Sequence, residues 1–74
     1  MGQERLTDKD HRDLLGRLFT FATELAEAAH DAAIRGQSAR STRKQLHHAA
    51  NCLEERASEL LAAAQTARAL LSSA

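Results

Sequence analysis

The stretch AAIRGQSARSTRKQLHHAAN, residues 32–51, lies between two alanine- and leucine-rich segments and decides how they are arranged. Its pair Arg35-Gly36 places a cation before a glycine that can adopt positive φ, a common way for an α-helix to end. Three hydroxyl residues that follow can cap a second helix: Ser38, Ser41 or Thr42. Because a connection this short makes two helices antiparallel, the stretch predicts the bend of a helical hairpin.

The composition of the chain favours an all-α fold. Valine, tyrosine and tryptophan are absent and alanine and leucine dominate, so the chain is poor in the β-branched and aromatic residues that β-strands prefer. A chain of 74 residues is a single domain (1–74), and at this size only about 60% of the surface of the unfolded chain is buried on folding. The lone Cys52 cannot form an internal disulfide, so completion of the fold by a partner or by dimerisation is expected.

Apolar residues at alternating spacings of four and three predict helix 1 over about residues 8–35, a turn over about 36–40 and helix 2 over about 41–72. Thr7 is the expected N-cap of helix 1. In helix 1 the stripe expected to face helix 2 consists of Leu14, Leu18, Phe21, Leu25, Ala28 and Ala32. In helix 2 the corresponding stripe consists of Leu46, Ala50, Leu53, Ala57, Leu60, Ala64, Ala67 and Leu71.

A second apolar stripe on helix 1 has no place in a two-helix core. It consists of Leu15, Phe19, Ala22, Ala26, Ala29 and Ala33, and it is bulky only at the end far from the turn. Each helix can cover only the stripe that its neighbour turns towards it, so this second stripe would face water in a monomer. On helix 2, Leu61 stands beside the predicted stripe at about the same height as Leu15 and Phe19. The predicted partner-binding residues are therefore Leu15, Phe19, Ala22 and Leu61.

Few residues in the chain could carry chemistry. His48 and Cys52 are expected to share a helix face, with His30 across the hairpin. The side chains of His47 and His48 point about 100° apart, however, and no carboxylate completes a metal site. A two-helix chain also offers a cysteine nucleophile no pocket and no oxyanion site. We expect a protein without catalytic residues, cofactor or metal, although a metal role for these histidines and Cys52 stays open.

The basic turn is the one charged patch with a candidate ligand. The net charge of the chain is zero, yet Arg35, Arg40, Arg43 and Lys44 occur together without an acidic residue. A homodimeric four-helix bundle of the Rop type, which presents such turns to nucleic acid, is therefore one alternative, and a structural homo-oligomer is another. The segment has no aromatic residue to stack on a base, which makes nucleic acid the less favoured partner and a solvated turn the simpler reading.

The expected location is the cytoplasm, without contact to a membrane. The apolar runs are far shorter than the roughly 20 residues that span a bilayer. The start MGQERL also lacks the apolar core of a signal peptide. Both observations point to a protein that stays in the compartment where it is made.

Residues 30–60 resemble the small E-type co-chaperones of type III secretion systems, the YscE and PscE group. These are helical hairpins of similar length with an Arg-Gly pair at the turn and a Gln-rich second helix containing an Ala-Leu-Glu step. Here Arg35-Gly36 matches the turn, Gln45 stands early in helix 2, and Cys52-Leu53-Glu54 replaces that step. The basic run of residues 40–44 and one extra residue before the Leu-Glu step depart from the pattern. The resemblance implies a non-enzymatic module that packs on a helical-repeat chaperone and, with it, keeps the needle subunit soluble.

Overall fold

The chain folds into two antiparallel helices. In the computed structural model, which describes residues 8–72, α1 (Asp8–Gly36) and α2 (Arg43–Ser72) pack on each other, and no strand occurs in that range. The Nε2 atom of His11 lies 3.1 Å from the carbonyl oxygen of Leu70. This contact joins the two helices near the end of the hairpin that is far from the turn. The predicted all-α helical hairpin is confirmed.

The turn begins one residue later than expected and does not use a left-handed glycine. Helix α1 continues through Gly36, and no glycine among the described residues has positive φ, so that part of the prediction was wrong. The carbonyl groups at the end of α1 are satisfied in another way. The N–H of Gln37 donates to the Ile34 carbonyl oxygen at 3.0 Å, and the Ser41 hydroxyl donates to that of Arg35 at 3.3 Å.

Helix α2 begins at Arg43 because Thr42 caps it. The Gln45 N–H donates to Thr42 Oγ1 at 3.1 Å, and the Thr42 N–H donates to Gln45 Oε1 at 2.8 Å. This reciprocal pair is a capping box, which satisfies two backbone donors at the start of a helix. Of the three candidate caps, Thr42 is thus the one used, whereas the cap expected at Thr7 lies outside the described residues.

The contact between the helices, which we call the seam, is narrow and lined mainly by small side chains. In α1 the seam consists of His11, Leu15, Leu18, Ala22, Leu25, Ala29 and Ala32. In α2 it consists of Ala49, Cys52, Arg56, Leu60, Ala63, Ala67 and Leu70. Only Leu25 and four of the alanines, Ala32, Ala49, Ala63 and Ala67, are fully buried. Because alanine side chains are small, the two helix axes can approach closely along the seam.

The seam differs by one residue from the predicted stripes at several positions. Leu18, Leu25, Ala32, Leu60 and Ala67 were assigned correctly. Five large residues predicted to face the other helix are instead more than a third exposed: Leu14, Phe21, Leu46, Leu53 and Leu71. Neighbouring stripes in an alanine- and leucine-rich helix have the same spacing, so the seam depends on how the two helices fit together and not on the apolar pattern of either one.

Arg56 is a charged residue within the seam. Its Nε atom lies 3.0 Å from Glu59 Oε1, and its Nη2 atom lies 3.7 Å from Glu55 Oε1. The Nε–H does not point at the Glu59 oxygen, so this buried donor has an ion-pair partner but no hydrogen-bond acceptor in residues 8–72. The aliphatic part of Arg56 fills the seam while its charged end reaches solvent. Sequence reasoning missed this position because the predicted stripe passed through Ala57.

Replacing Gly16 by alanine should stabilise the hairpin. Gly16 lies within α1, and a Cβ atom added there would meet no atom within 4 Å. Alanine is favoured over glycine inside a helix by about 0.5–1 kcal/mol, so the free energy of unfolding should rise by that amount. Urea denaturation followed by circular dichroism measures the change. An unchanged or lowered midpoint would mean that α1 is not a continuous helix at Gly16.

Candidate interaction surface

The hairpin exposes more surface than a compact protein of its mass. Its accessible surface is 6087 Å², whereas a compact monomer of this size exposes about 4,500 Å². Its radius of gyration is 17.3 Å, compared with about 11 Å for a compact domain of this length. Two long helices in a single layer leave both faces of the hairpin uncovered. The residues on those two faces therefore determine what the protein can bind.

Helix geometry divides the exposed surface into two flanks, one on each side of the seam. A residue that directly follows a seam position lies about 100° further round its helix, and a residue that precedes it lies as far in the other direction. Both helices are right-handed and they run in opposite directions. The positions that follow the seam in α1 and in α2 therefore lie on the same side of the hairpin, and those that precede it lie on the other.

The side formed by the following positions, which we call the apolar flank, is almost free of charge. It consists of Phe19, Ala26, Ala33, Leu46, Leu53, Ala57, Leu61, Ala64 and Leu71. Phe19 is 57% exposed and Leu61 is 58% exposed, so large apolar side chains face solvent there. Leu46 extends the flank because it lies two helical turns before Leu53. The following positions Arg12, His30 and Arg68 form the charged edge of the flank, and none of the positions that directly follow the seam is acidic.

The opposite side, which we call the charged flank, has a different composition. Its positions include Asp10, Arg17, Glu24, Asp31, His48, Glu55 and Glu59. Leu14 and Phe21 also lie there, but charged residues separate them from each other. Isolated exposed apolar residues are normal on protein surfaces, whereas a contiguous apolar area marks a binding surface. The apolar flank is therefore the candidate interaction surface.

The structure divides the four predicted partner-binding residues into two pairs. Leu15 and Ala22 are half-buried within the seam, where they face α2. Phe19 and Leu61 lie exposed on the apolar flank. Leu46, Leu53 and Leu71 join them there, although the sequence had assigned these three to the hairpin core. Their stripe is apolar and contains no acidic residue, so nothing in the sequence marked these three leucines as exposed.

The histidines and Cys52 are dispersed. His48 Nε2 lies 3.6 Å from Cys52 Sγ one turn away on α2, which is the pairing expected from their spacing. His30 is exposed beside Asp31, with 3.8 Å between Nδ1 and Oδ1. Within residues 8–72 no three potential metal ligands from His, Cys, Asp and Glu come together. The thiol and imidazole thus form a local pair on one helix.

A cleft of about 660 Å³ occurs at the turn. It is lined by Arg35, Ser38, Arg40, Ser41, Lys44, Gln45 and His48. Arg35 comes from the end of α1, Arg40 from the turn, and Lys44 and His48 from the start of α2. None of the cations at the turn takes part in an ion pair within the described part of the chain. Of the four basic residues singled out in the sequence, Arg35, Arg40 and Lys44 are therefore brought together around one concave surface, whereas Arg43 does not line it.

Comparison with known proteins leaves the function to be inferred from these surfaces. No family model, no curated protein and no solved structure matches the chain. Neither helix, over the residues described, has an apolar segment long enough to cross a bilayer. The apolar flank and the turn cleft are the two features from which an inference about function can be made.

Proposed function

We propose that this chain is a non-enzymatic protein-interaction module whose apolar flank docks on helices of a protein partner. The observation that supports this proposal is the imbalance between buried and exposed side chains. Leu25 is the largest side chain in the core, whereas Phe19, Leu46, Leu53, Leu61 and Leu71 are exposed on one flank. Covering large apolar side chains is the main source of free energy in protein association.

The shape of the apolar flank suits a helical partner. A helix of 29 residues such as α1 is about 43 Å long. A partner helix can lie along the flank with its apolar side chains above the small residues Ala26, Ala57 and Ala64. The cations that border the flank, Arg12 and Arg68, would then be complemented by acidic residues beside the partner's apolar stripe.

The resemblance to the E-type co-chaperones suggests which kind of partner the hairpin binds. In that role the hairpin would pack on a helical-repeat chaperone in the cytoplasm, and the pair would keep an aggregation-prone needle subunit soluble. Arg35-Gly36 ends α1 and Leu53 lies on the apolar flank. The position of one matched segment at the turn and of the other on the apolar flank supports this form of the proposal.

The proposal can be tested with the chain, the helical-repeat chaperone and the needle subunit from the same organism. Size-exclusion chromatography with mass determination should give a complex of defined stoichiometry, and co-expression should keep the needle subunit soluble. Leu53→Glu places a charge in the apolar flank and should abolish the complex, because burying an unpaired carboxylate in an interface is costly. Ala62→Glu adds the same charge at an exposed position on the other side of α2 and should have no effect.

Two results would contradict the proposal. If the chain were a stable monomer that bound neither protein, the apolar flank would not be a docking surface. If Leu53→Glu instead converted a stable dimer of the chain into a monomer, the homodimeric alternative would be the correct one.

A further inference from the structure

The turn cleft gathers positive charge from three parts of the chain. Arg35, Arg40 and Lys44 line it together with His48, while the remaining lining residues are neutral and polar. Two hydrogen bonds hold the turn in shape: the Arg40 N–H donates to Ser38 Oγ at 3.3 Å, and the Ser41 hydroxyl donates to the Arg35 carbonyl oxygen. The cations are therefore attached to a backbone of fixed shape, which lowers the cost of ordering them around a ligand.

The acidic residue nearest to these cations along the chain is Asp31, one turn before Arg35, and its carboxylate lies beside His30. Residues 32–53 contain no aspartate or glutamate. No ion pair to these cations occurs within residues 8–72. Like charges that share one concave surface repel each other, and an anion bound among them would remove that repulsion. The cleft is thus better suited to an anion than to a neutral or cationic ligand.

The charge and size of the cleft indicate the kind of anion. Arg35, Arg40 and Lys44 supply three permanent positive charges, and guanidinium groups can bind phosphate oxygens with two hydrogen bonds each. The volume of about 660 Å³ lies within the roughly 300–1,000 Å³ of small-molecule sites. No aromatic side chain lines the cleft to stack on a base, and the cations lie at one end of the hairpin instead of along a helix face. These features disfavour a nucleic acid strand.

We propose that the turn cleft binds a compact polyphosphate group, either free or as part of a nucleotide. A single carboxylate would leave two of the three permanent charges without a partner, whereas a triphosphate can contact all of them. The cleft opens at the turn and beside the charged flank, because His48 precedes the seam residue Ala49 and Arg35 precedes Gly36, which faces Ala49. Ligand binding there is independent of docking on the apolar flank.

Isothermal titration calorimetry of the full chain with tripolyphosphate at physiological ionic strength tests the proposal. We expect one ligand per chain and tighter binding than for citrate, which carries comparable charge on carboxylates. The variant Arg40→Gln/Lys44→Gln removes two of the cations that line the cleft. Since each lost cation removes hydrogen bonds between charged groups, the affinity of this variant should fall at least about tenfold.

A matched control separates the cleft from net charge. Arg17→Gln/Arg68→Gln removes the same two charges from exposed positions far from the turn and should change the affinity less than about twofold, since screening weakens distant exposed charges. Equal weakening in both variants, binding of citrate as tight as that of tripolyphosphate, or no binding at all would overturn the proposal. If the double variant lost helicity, the single change Lys44→Gln would replace it, with Arg68→Gln as its control.

Two further ligands identify the source of the phosphates. ATP binding as tightly as tripolyphosphate would show that the phosphate groups alone are recognised, as the absence of aromatic side chains from the cleft lining leads us to expect. Tighter binding of a single-stranded oligonucleotide than of either ligand, with affinity that rises with its length, would overturn the proposal. The turn would then be a nucleic-acid-binding surface.

Discussion

Replacing Leu25 by alanine should lower the free energy of unfolding by about 2–5 kcal/mol, the cost usual for a leucine truncated in a protein core. Leu25 is only 6% exposed, and every other buried residue among those that the structure describes is an alanine. A hairpin whose core has one large buried side chain has little stability to lose, so much of the variant should be unfolded. Urea denaturation followed by far-ultraviolet circular dichroism measures the loss, at concentrations where the chain does not associate.

Leu53→Ala is the matched control for that experiment. It is the same chemical change in the other helix, but Leu53 is 38% exposed on the apolar flank. Its cost to the isolated chain should be about 1 kcal/mol or less, as for other partly exposed positions. Equal costs at Leu25 and Leu53 would mean that the helices meet along a different seam, with Leu53 inside it.

Truncating Phe19 should weaken binding to the partner by about 1–4 kcal/mol, the range for an aromatic anchor in an interface. That range corresponds to a loss of about fivefold to several hundredfold in affinity. Phe19 has the largest side chain on the apolar flank and makes little contribution to the seam, since it is 57% exposed. Helicity should remain near that of the parent while the dissociation constant, measured by titration with the purified partner, rises.

Phe21→Ala provides the comparison, because the chain has two phenylalanines on opposite flanks. Phe21 is 48% exposed, close to the value for Phe19, but it lies among charged residues. Its removal should change the affinity by less than about 0.5 kcal/mol, as expected at a surface position outside an interface. A larger effect at Phe21 than at Phe19 would move the docking surface to the charged flank.

The hairpin could be predicted from the sequence because its determinants are local. The alternating spacing from Leu14 to Ala32 indicates a helix, and the polar residues after Gly36 interrupt it. The cap at Thr42 was one of three candidates, and only the structure shows that Gln45 completes it. The end of α1 was predicted less well, because the carbonyl groups there bond to Gln37 and Ser41 and need no left-handed glycine.

The seam could not be predicted to the residue for a physical reason. Leu14 and Leu15 begin two adjacent stripes with identical spacing, and hydrophobicity alone does not choose between them. The choice depends on how closely two backbones can approach, which is a property of both helices together. The occurrence of Arg56 in the seam made the correct stripe of α2 look less apolar than its neighbour.

The same uncertainty affected the candidate interaction surface. Phe19 and Leu61 were identified because both stood outside the two stripes predicted to face the other helix, and both are exposed. Leu53 was assigned to the core, and it moved to the surface when the seam moved by one residue. The turn cleft depends on the relative positions of Arg35, Arg40 and Lys44 in space. Their clustering in the sequence does not determine whether they line one surface.

The alanine seam has a consequence for how the protein responds to temperature. The heat capacity of unfolding arises mainly from apolar surface that becomes hydrated, and it is usually about 12–15 cal/mol/K per residue. A core built from Leu25 and four alanines hides little such surface, so the value for the free hairpin should be smaller and its stability curve flatter. The isolated chain should then melt gradually. A partner on the apolar flank would add the missing buried surface, and the complex would melt in one sharp, cooperative step.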